Sequence, residues 1–132
     1  MRALWRFAGT KKHRAYQKGH VAEGIATLWL MLKGYRVLER RYRSSAGEID
    51  LIVKKGKTVI ACEIKLRATT EKALLCLTTH QKNRIMKALL LYVGTRPHLA
   101  QDDLRLDFFL LTPTRMCHIK GAWDRMLGDR LS

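Results

Sequence analysis

Residues 47–67 read GEIDLIVKKGKTVIACEIKLR. Two apolar runs, Leu51-Ile52-Val53 and Thr58-Val59-Ile60-Ala61, flank a Lys-Gly pair, which is the pattern of a β-hairpin. Glu48, Asp50, Glu63 and Lys65 interrupt those runs. A buried charge is costly unless it is paired, and an ordinary core hairpin has little use for three acids and a lysine. Side chains alternate along a strand, so Glu48 shares a face with Asp50, and Glu63 with Lys65. A two-residue turn at Lys55-Gly56 would pair Lys54 with Lys57 and Glu48 with Glu63, with Asp50 diagonal to Glu63. All four polar groups then stand on one face, and Ile49, Leu51, Val53, Cys62 and Ile64 on the other. A one-residue slip would separate the two sets.

Three carboxylates held together repel and raise one another's pKa. A divalent cation between them removes the repulsion. Hard oxygen ligands in this number suit Mg²⁺ or Mn²⁺, which take one or two carboxylates and complete their shell with water and substrate phosphate. Lys65, two residues beyond Glu63, lands beside that position. Metal, activated water and an ammonium group for the developing charge are the parts that phosphodiester hydrolysis requires.

The charge points the same way. Lys and Arg number 26 against 11 Asp and Glu, a net charge of +15. Such a balance suits a phosphate-rich partner, because each neutralised phosphate releases a condensed counterion. A membrane-surface protein and a merely soluble basic protein are the other readings. The 132 residues suffice for one domain with a core. The longest strongly apolar run, 25–32, is far shorter than the roughly 20 residues that span a bilayer. No small-residue cleavage site follows an apolar stretch near Met1, so the sequence predicts no signal peptide, no membrane and a cytoplasmic location. Cys62, Cys76 and Cys117 form no CxxC pair, which indicates neither a disulfide framework nor a zinc knuckle. Cys76 and His80, four apart, would face one another on a helix, but two ligands do not make a zinc site.

Along the chain, 1–18 reads as a basic arm carrying Lys11, Lys12 and Arg14, and 19–132 as a single domain. Residues 20–33 predict a helix with Ala22, Ile25, Ala26, Trp29 and Leu32 on its core stripe and Glu23 at the border. A strand over 35–42 follows, with Tyr35, Val37 and Leu38 inward, then a Ser44-Ser45-Ala46-Gly47 loop. Residues 68–77 are ambiguous. Thr78-x-x-Gln81 predicts a capping box opening a helix through Val93. Its stripe is Ile85, Ala88, Leu89 and Tyr92, with Lys82, Arg84 and Lys87 on other faces. Strands are predicted over 104–111 and 116–120. The order implies an α/β fold, a mixed sheet with helices packed on it.

Asp50 followed by Glu63-Ile64-Lys65 resembles the PD-(D/E)xK nuclease signature of the restriction-endonuclease-like fold. Within that superfamily the chain is most similar to the YraN-like family of uncharacterised bacterial proteins. The resemblance rests on Gly19-His20-x-Ala22-Glu23, Gly34-Tyr35, Tyr42-Arg43, Gly47-Glu48-Ile49-Asp50-Leu51-Ile52, Glu63-x-Lys65-x-Arg67, Lys82-x-Arg84-Ile85, Arg105-x-Asp107 and His118-Ile119, which span about residues 19–123. It implies a central mixed β-sheet flanked by α-helices. It also implies a site of Glu23, Asp50, Glu63 and Lys65, with Glu23 as the acid of the first helix. The proline often found before the first strand acid is absent, and 68–77 lacks the glycine expected after ExKxR.

The expected activity is Mg²⁺- or Mn²⁺-dependent cleavage of DNA, with branched repair intermediates among the candidate substrates and a C2 homodimer suited to cutting two strands. Lys11, Lys12, Arg14, Arg43, Arg67, Lys82 and Arg84 are the candidate phosphate contacts. A catalytically silent nucleic-acid-binding module on the same fold is the alternative. A basic ribonucleoprotein component is a third reading and leaves the hairpin acids unexplained. Some residues have plainer readings: Glu48 as an arginine partner, Gln81 as the cap acceptor, Arg105 and Asp107 as a structural ion pair, and Trp29 as core packing. Trp5, Trp29 and Trp123 are candidates for base stacking.

Overall fold

The computed structural model describes residues 20–122. The basic arm, Trp5 and Trp123 lie outside the described residues. Helix α1 covers 20–32 and ends at Gly34, whose φ of 90° suits a residue without Cβ. Three strands follow, β1 (Arg36–Arg43), β2 (Glu48–Lys55) and β3 (Thr58–Leu66). A short helix α2 (Thr70–Leu74) fills part of the ambiguous 68–77 stretch. Helix α3 (Thr79–Gly94), a 3₁₀ turn at Pro97–Leu99, and strands β4 (Asp103–Leu111) and β5 (Met116–Ile119) complete the order. The sheet is five-stranded in the order β1-β2-β3-β4-β5. Only β3 and β4 run parallel; the other three pairs are antiparallel. This is an α/β fold with a mixed sheet, consistent with a restriction-endonuclease-like core.

Both faces of the sheet are covered. On one, Ile85, Ala88, Leu89 and Tyr92 of α3 pack on Ile49, Ile52, Val59, Ala61, Leu106 and Phe108. That is the stripe expected from the sequence, and the Thr78 hydroxyl caps the helix by accepting from the Gln81 backbone N–H at 3.1 Å. On the other, Ala22, Ala26 and Leu30 of α1 pack on Leu51, Val53, Ile60, Cys62 and Phe109. Here the expected stripe is corrected. Ala22 and Ala26 are buried, but Ile25, Trp29 and Leu32 are exposed, as are Val21, Leu28 and Met31. The helix is apolar nearly all round, so periodicity alone does not choose a face. Alanines let the backbone approach the bulky sheet residues closely. Trp29 instead lies under the Lys33 ammonium, 4.7 Å from its ring centre.

Two further expectations are corrected. Cys76 lies in the turn between α2 and α3, so it shares no helix with His80. Lys82, placed by periodicity on an outer face, is only 8% exposed, with its Nζ 5.9 Å from the Phe108 ring centre. Its long apolar stem allows a lysine to occupy a core-facing position. No helix among the described residues is long and apolar enough to cross a membrane.

Candidate functional site

The hairpin turn is Gly56-Lys57, with Lys55 paired to Thr58. It is not the Lys55-Gly56 turn expected, and the positive φ of Gly56, 60°, permits it. In this register Asp50, not Glu48, projects opposite Glu63. The β2–β3 ladder, however, stops at Leu51 and Cys62. Beyond that pair the sheet forks. β2 continues against β1 through Ile49 and Glu48, while β3 continues against β4 through Glu63 to Leu66. Asp50 Oδ2 accepts the Ile64 backbone N–H across the fork at 2.9 Å.

Both sides of β2 mark the fork with a break in alternation. Ile49 and Ile52 enter the α3 core while Leu51 and Val53 enter the α1 core, so the pleat skips a step at Asp50. Arg40 pairs with Leu51 and Tyr42 with Ile49, which sets Arg41 across from Asp50. Arg41 has a φ of 52°, the one positive φ at a non-glycine among the described residues. Such a conformation persists where the surroundings hold it. Here the guanidinium is held by Glu23 of α1, with Nε and Nη2 each 3.1 Å from Oε2, and by the His20 ring.

The fork opens into a cleft of about 640 Å³ that reaches Glu23, Asp50, Glu63, Lys65 and Arg67. Glu63 is 6% exposed, and its Oε1 lies 3.1 Å from Lys65 Nζ. Asp50 faces it closely enough to share a hydrogen bond. Burial, and then the neighbouring Asp50, push the Glu63 carboxyl up from 4.5 to about 8, against the opposing pull of Lys65. Cys62, next in the chain, is not a nucleophile: burial first, then Asp107, raise its thiol well above its usual range.

The four central residues of the sequence reading, Glu23, Asp50, Glu63 and Lys65, thus line one cleft. The cage of three strand carboxylates does not form. Glu48 is exposed and lies 3.4 Å from Arg43 Nε. Among the described residues no three His, Cys, Asp or Glu side chains converge as a metal cluster. Asp50 and Glu63 are left as the pair that could hold a cation. Oxygen donors without His or Cys fit Mg²⁺ or Mn²⁺ better than zinc. Two carboxylates leave positions for water and phosphate, and a buried Glu63 whose carboxyl is raised beside the half-buried Asp50 fits the same group.

Of the candidate phosphate contacts, Arg67 lines this cleft and Arg84 a second recess. Arg43 is occupied with Glu48, and Lys11, Lys12 and Arg14 lie outside the described residues. Arg41 was missed by the sequence reading; it stands in a run of arginines without a motif of its own. Arg105 and Asp107 form the structural pair expected, with two contacts of 2.8 and 2.9 Å, but in mid-strand and with His118 Nε2 at 2.8 Å as a third member.

The model of uncharacterised protein family UPF0102 matches residues 22–111. A UPF0102 protein of Paramagnetospirillum magneticum is 42% identical over 120 residues, covering 86% of this chain and 93% of its own. Another, from Parvibaculum lavamentivorans, is 42% identical over 110 residues, 83% of each chain. A third, from Rhizobium meliloti, is 38% identical over 120 residues, 91% of this chain and 93% of its own. The matched span includes the whole fork.

Proposed function

The chain belongs to the uncharacterised protein family UPF0102, and for this member we propose a divalent-metal-dependent nuclease that hydrolyses phosphodiester bonds in DNA. The observation that carries the reading is the pairing of Asp50 with a buried Glu63 whose carboxyl is pushed up to about 8, with Lys65 at 3.1 Å. A buried acid pushed up by desolvation and a specific charged neighbour, set in a cleft, is the mark of a functional site. The net charge of +15 supplies the attraction to phosphate.

Asp50 and Glu63 would hold Mg²⁺ or Mn²⁺. When bound, such an ion polarises a phosphoryl oxygen and acidifies water. The remaining work falls to the chain. The water oxygen bonds to phosphorus, the ester P–O bond breaks, the water gives up a proton and the leaving oxygen gains one, giving a phosphate monoester and an alcohol. Lys65 stands where its ammonium meets the charge that grows on the phosphoryl oxygens. Glu23, held by Arg41, borders the cleft on the α1 side and orients the water or a second cation. Burial of Glu63 lowers the local dielectric and strengthens these contacts.

Single-turnover cleavage of labelled branched, nicked, single-stranded and duplex DNA, in Mg²⁺ and in Mn²⁺, tests the proposal. Wild type should cut only with metal. Lys65→Ala should cut at least about a hundredfold more slowly while DNA affinity changes little, by about one unit of salt slope. Equal cleavage by both proteins would remove Lys65 from the chemistry. One observation favours a second reading, a silent nucleic-acid-binding module: Glu23 and Glu63 each already have a cationic side chain at 3.1 Å. No cleavage of any substrate in either metal would select it.

A further inference from the structure

The fork is open toward both faces of the sheet. The larger cleft, on the α1 side, runs past Ala22, Ile64, Leu66, Ala68 and Pro113 to Arg67. A second recess of about 380 Å³, on the α3 side, is bordered by Gly47, Glu48, Gln81 and Arg84. Asp50, Glu63 and Lys65 line both. They stand between a largely apolar lobe on one face, which Glu23 also borders, and a polar lobe on the other. A cationic side chain marks each part: Arg67 in the apolar lobe, Lys65 at the waist between the lobes and Arg84 in the polar lobe. Arg84 is fixed against the β1–β2 loop, its Nε 3.4 Å from the Ala46 carbonyl. Its side chain lies over Gly47, where a Cβ would stand 3.6 Å from it.

Resting on the nuclease reading of this site, we infer that the two lobes act as one groove that receives a single, unpaired DNA strand at the scissile phosphate, with one nucleotide's base in the apolar lobe and the next phosphate against Arg84. Two features argue for an unpaired strand. An intact duplex presents phosphates and sugar edges outward and keeps its bases stacked inside, so an apolar lobe beside the reacting phosphate would have nothing to receive. An unpaired nucleotide supplies an apolar base face at that place. In addition, Glu63 is 6% exposed at the waist, recessed below both lobes. A flexible strand can bend its phosphate into the recess, whereas a duplex phosphate is held at the helix surface by its neighbours and by the opposite strand. Single-stranded DNA, flaps and the unpaired arms of forks share this chemistry.

Ala68 is exposed on the wall of the apolar lobe, so Ala68→Trp fills the lobe from a loop without touching the core. Binding of a fluorescent oligothymidylate and of a same-length duplex is measured by anisotropy with Ca²⁺ in place of Mg²⁺, for wild type and variant, with circular dichroism as the fold check. Ala68→Trp should weaken oligothymidylate binding about tenfold and leave duplex binding, which draws on the dispersed surface charge, within twofold. With Mg²⁺, wild type should cut the unpaired arm of a forked substrate at least tenfold faster than its duplex stem. Equal weakening of both ligands, no weakening of either, or cleavage of stem and arm at equal rates would overturn the inference. Cleavage without strand preference would leave the nuclease reading intact. A selective binding defect with no cleavage at all would support the groove and overturn the nuclease.

Discussion

Asp107 and Glu63 are acids of adjacent, parallel strands, one opposite Cys62 and the other opposite Phe108, and both are buried. Their surroundings could hardly differ more. Asp107 receives two contacts from Arg105, one from His118 Nε2 and the Gly121 backbone N–H at 3.0 Å. Burial alone would raise its carboxyl, but the hydrogen bonds from His118, Arg105 and Gly121 outweigh burial and hold it below the usual range. Glu63 has one cation and faces a second acid, and its carboxyl is pushed up. Asp107 closes the β4–β5 end of the sheet with its lone pairs satisfied. Glu63 is left short of positive charge at an open fork. Burial of an acid is therefore no guide to its role; what separates structure from chemistry here is whether the protein itself completes the acid's shell.

The sharpest way to break this comparison is to remove the satisfied acid. Asp107→Ala leaves Arg105 with only the Tyr35 hydroxyl and His118 Nε2 without its partner, and should lower stability by about 3–5 kcal/mol, read by urea denaturation. A loss under about 1 kcal/mol would mean that Asp107 is no keystone. Glu63 should behave in the opposite way. Its raised carboxyl keeps a proton in the folded chain that the unfolded chain releases near 4.5. Between that pH and about 8 the folded state binds more protons, so metal-free stability contributed by this group falls as pH rises, by up to about 1.4 kcal/mol per pH unit. Glu63→Gln, neutral throughout, should lose that slope and exceed wild type in stability at pH 8 without metal. Parallel pH profiles for the two proteins would count against the strained pair. The smallest effect belongs to Glu48. Its exposed pair with Arg43 should contribute under about 1 kcal/mol, and Glu48→Ala should leave Mn²⁺ affinity unchanged; a marked loss of affinity would return Glu48 to the metal site.

Much of this was legible in the sequence. The α3 stripe, its Thr78 cap, the strand of Leu104 to Leu111 and the grouping of Asp50, Glu63 and Lys65 follow from periodicity, spacing and a family resemblance. The turn was displaced because lysines flank Gly56 on both sides, so no apolar residue penalises the neighbouring alignment. Asp50 and Glu63 still meet because the actual register differs by an even step, but the skipped pleat at Asp50 sends Ile49 to the α3 core, away from Leu51, Val53, Cys62 and Ile64, with which it was grouped. The fork itself was hidden. It depends on a positive φ at Arg41, where no glycine signals it, and on the loss of ladder pairing at Asp50. With it went the expulsion of Glu48 and the capture of Glu23 by Arg41. The exposed face of α1 was illegible for the opposite reason, since both of its stripes are apolar.

The claim that Asp50 and Glu63 form an incomplete shell awaiting a cation is tested most directly by calorimetric titration of Mn²⁺ into metal-free wild type and Asp50→Asn. The amide keeps the shape of the side chain but is a poorer ligand, so the variant should remain folded and lose most of the heat of a saturable Mn²⁺ site seen in wild type. Unchanged Mn²⁺ affinity in Asp50→Asn, or no saturable binding in wild type, would contradict the account.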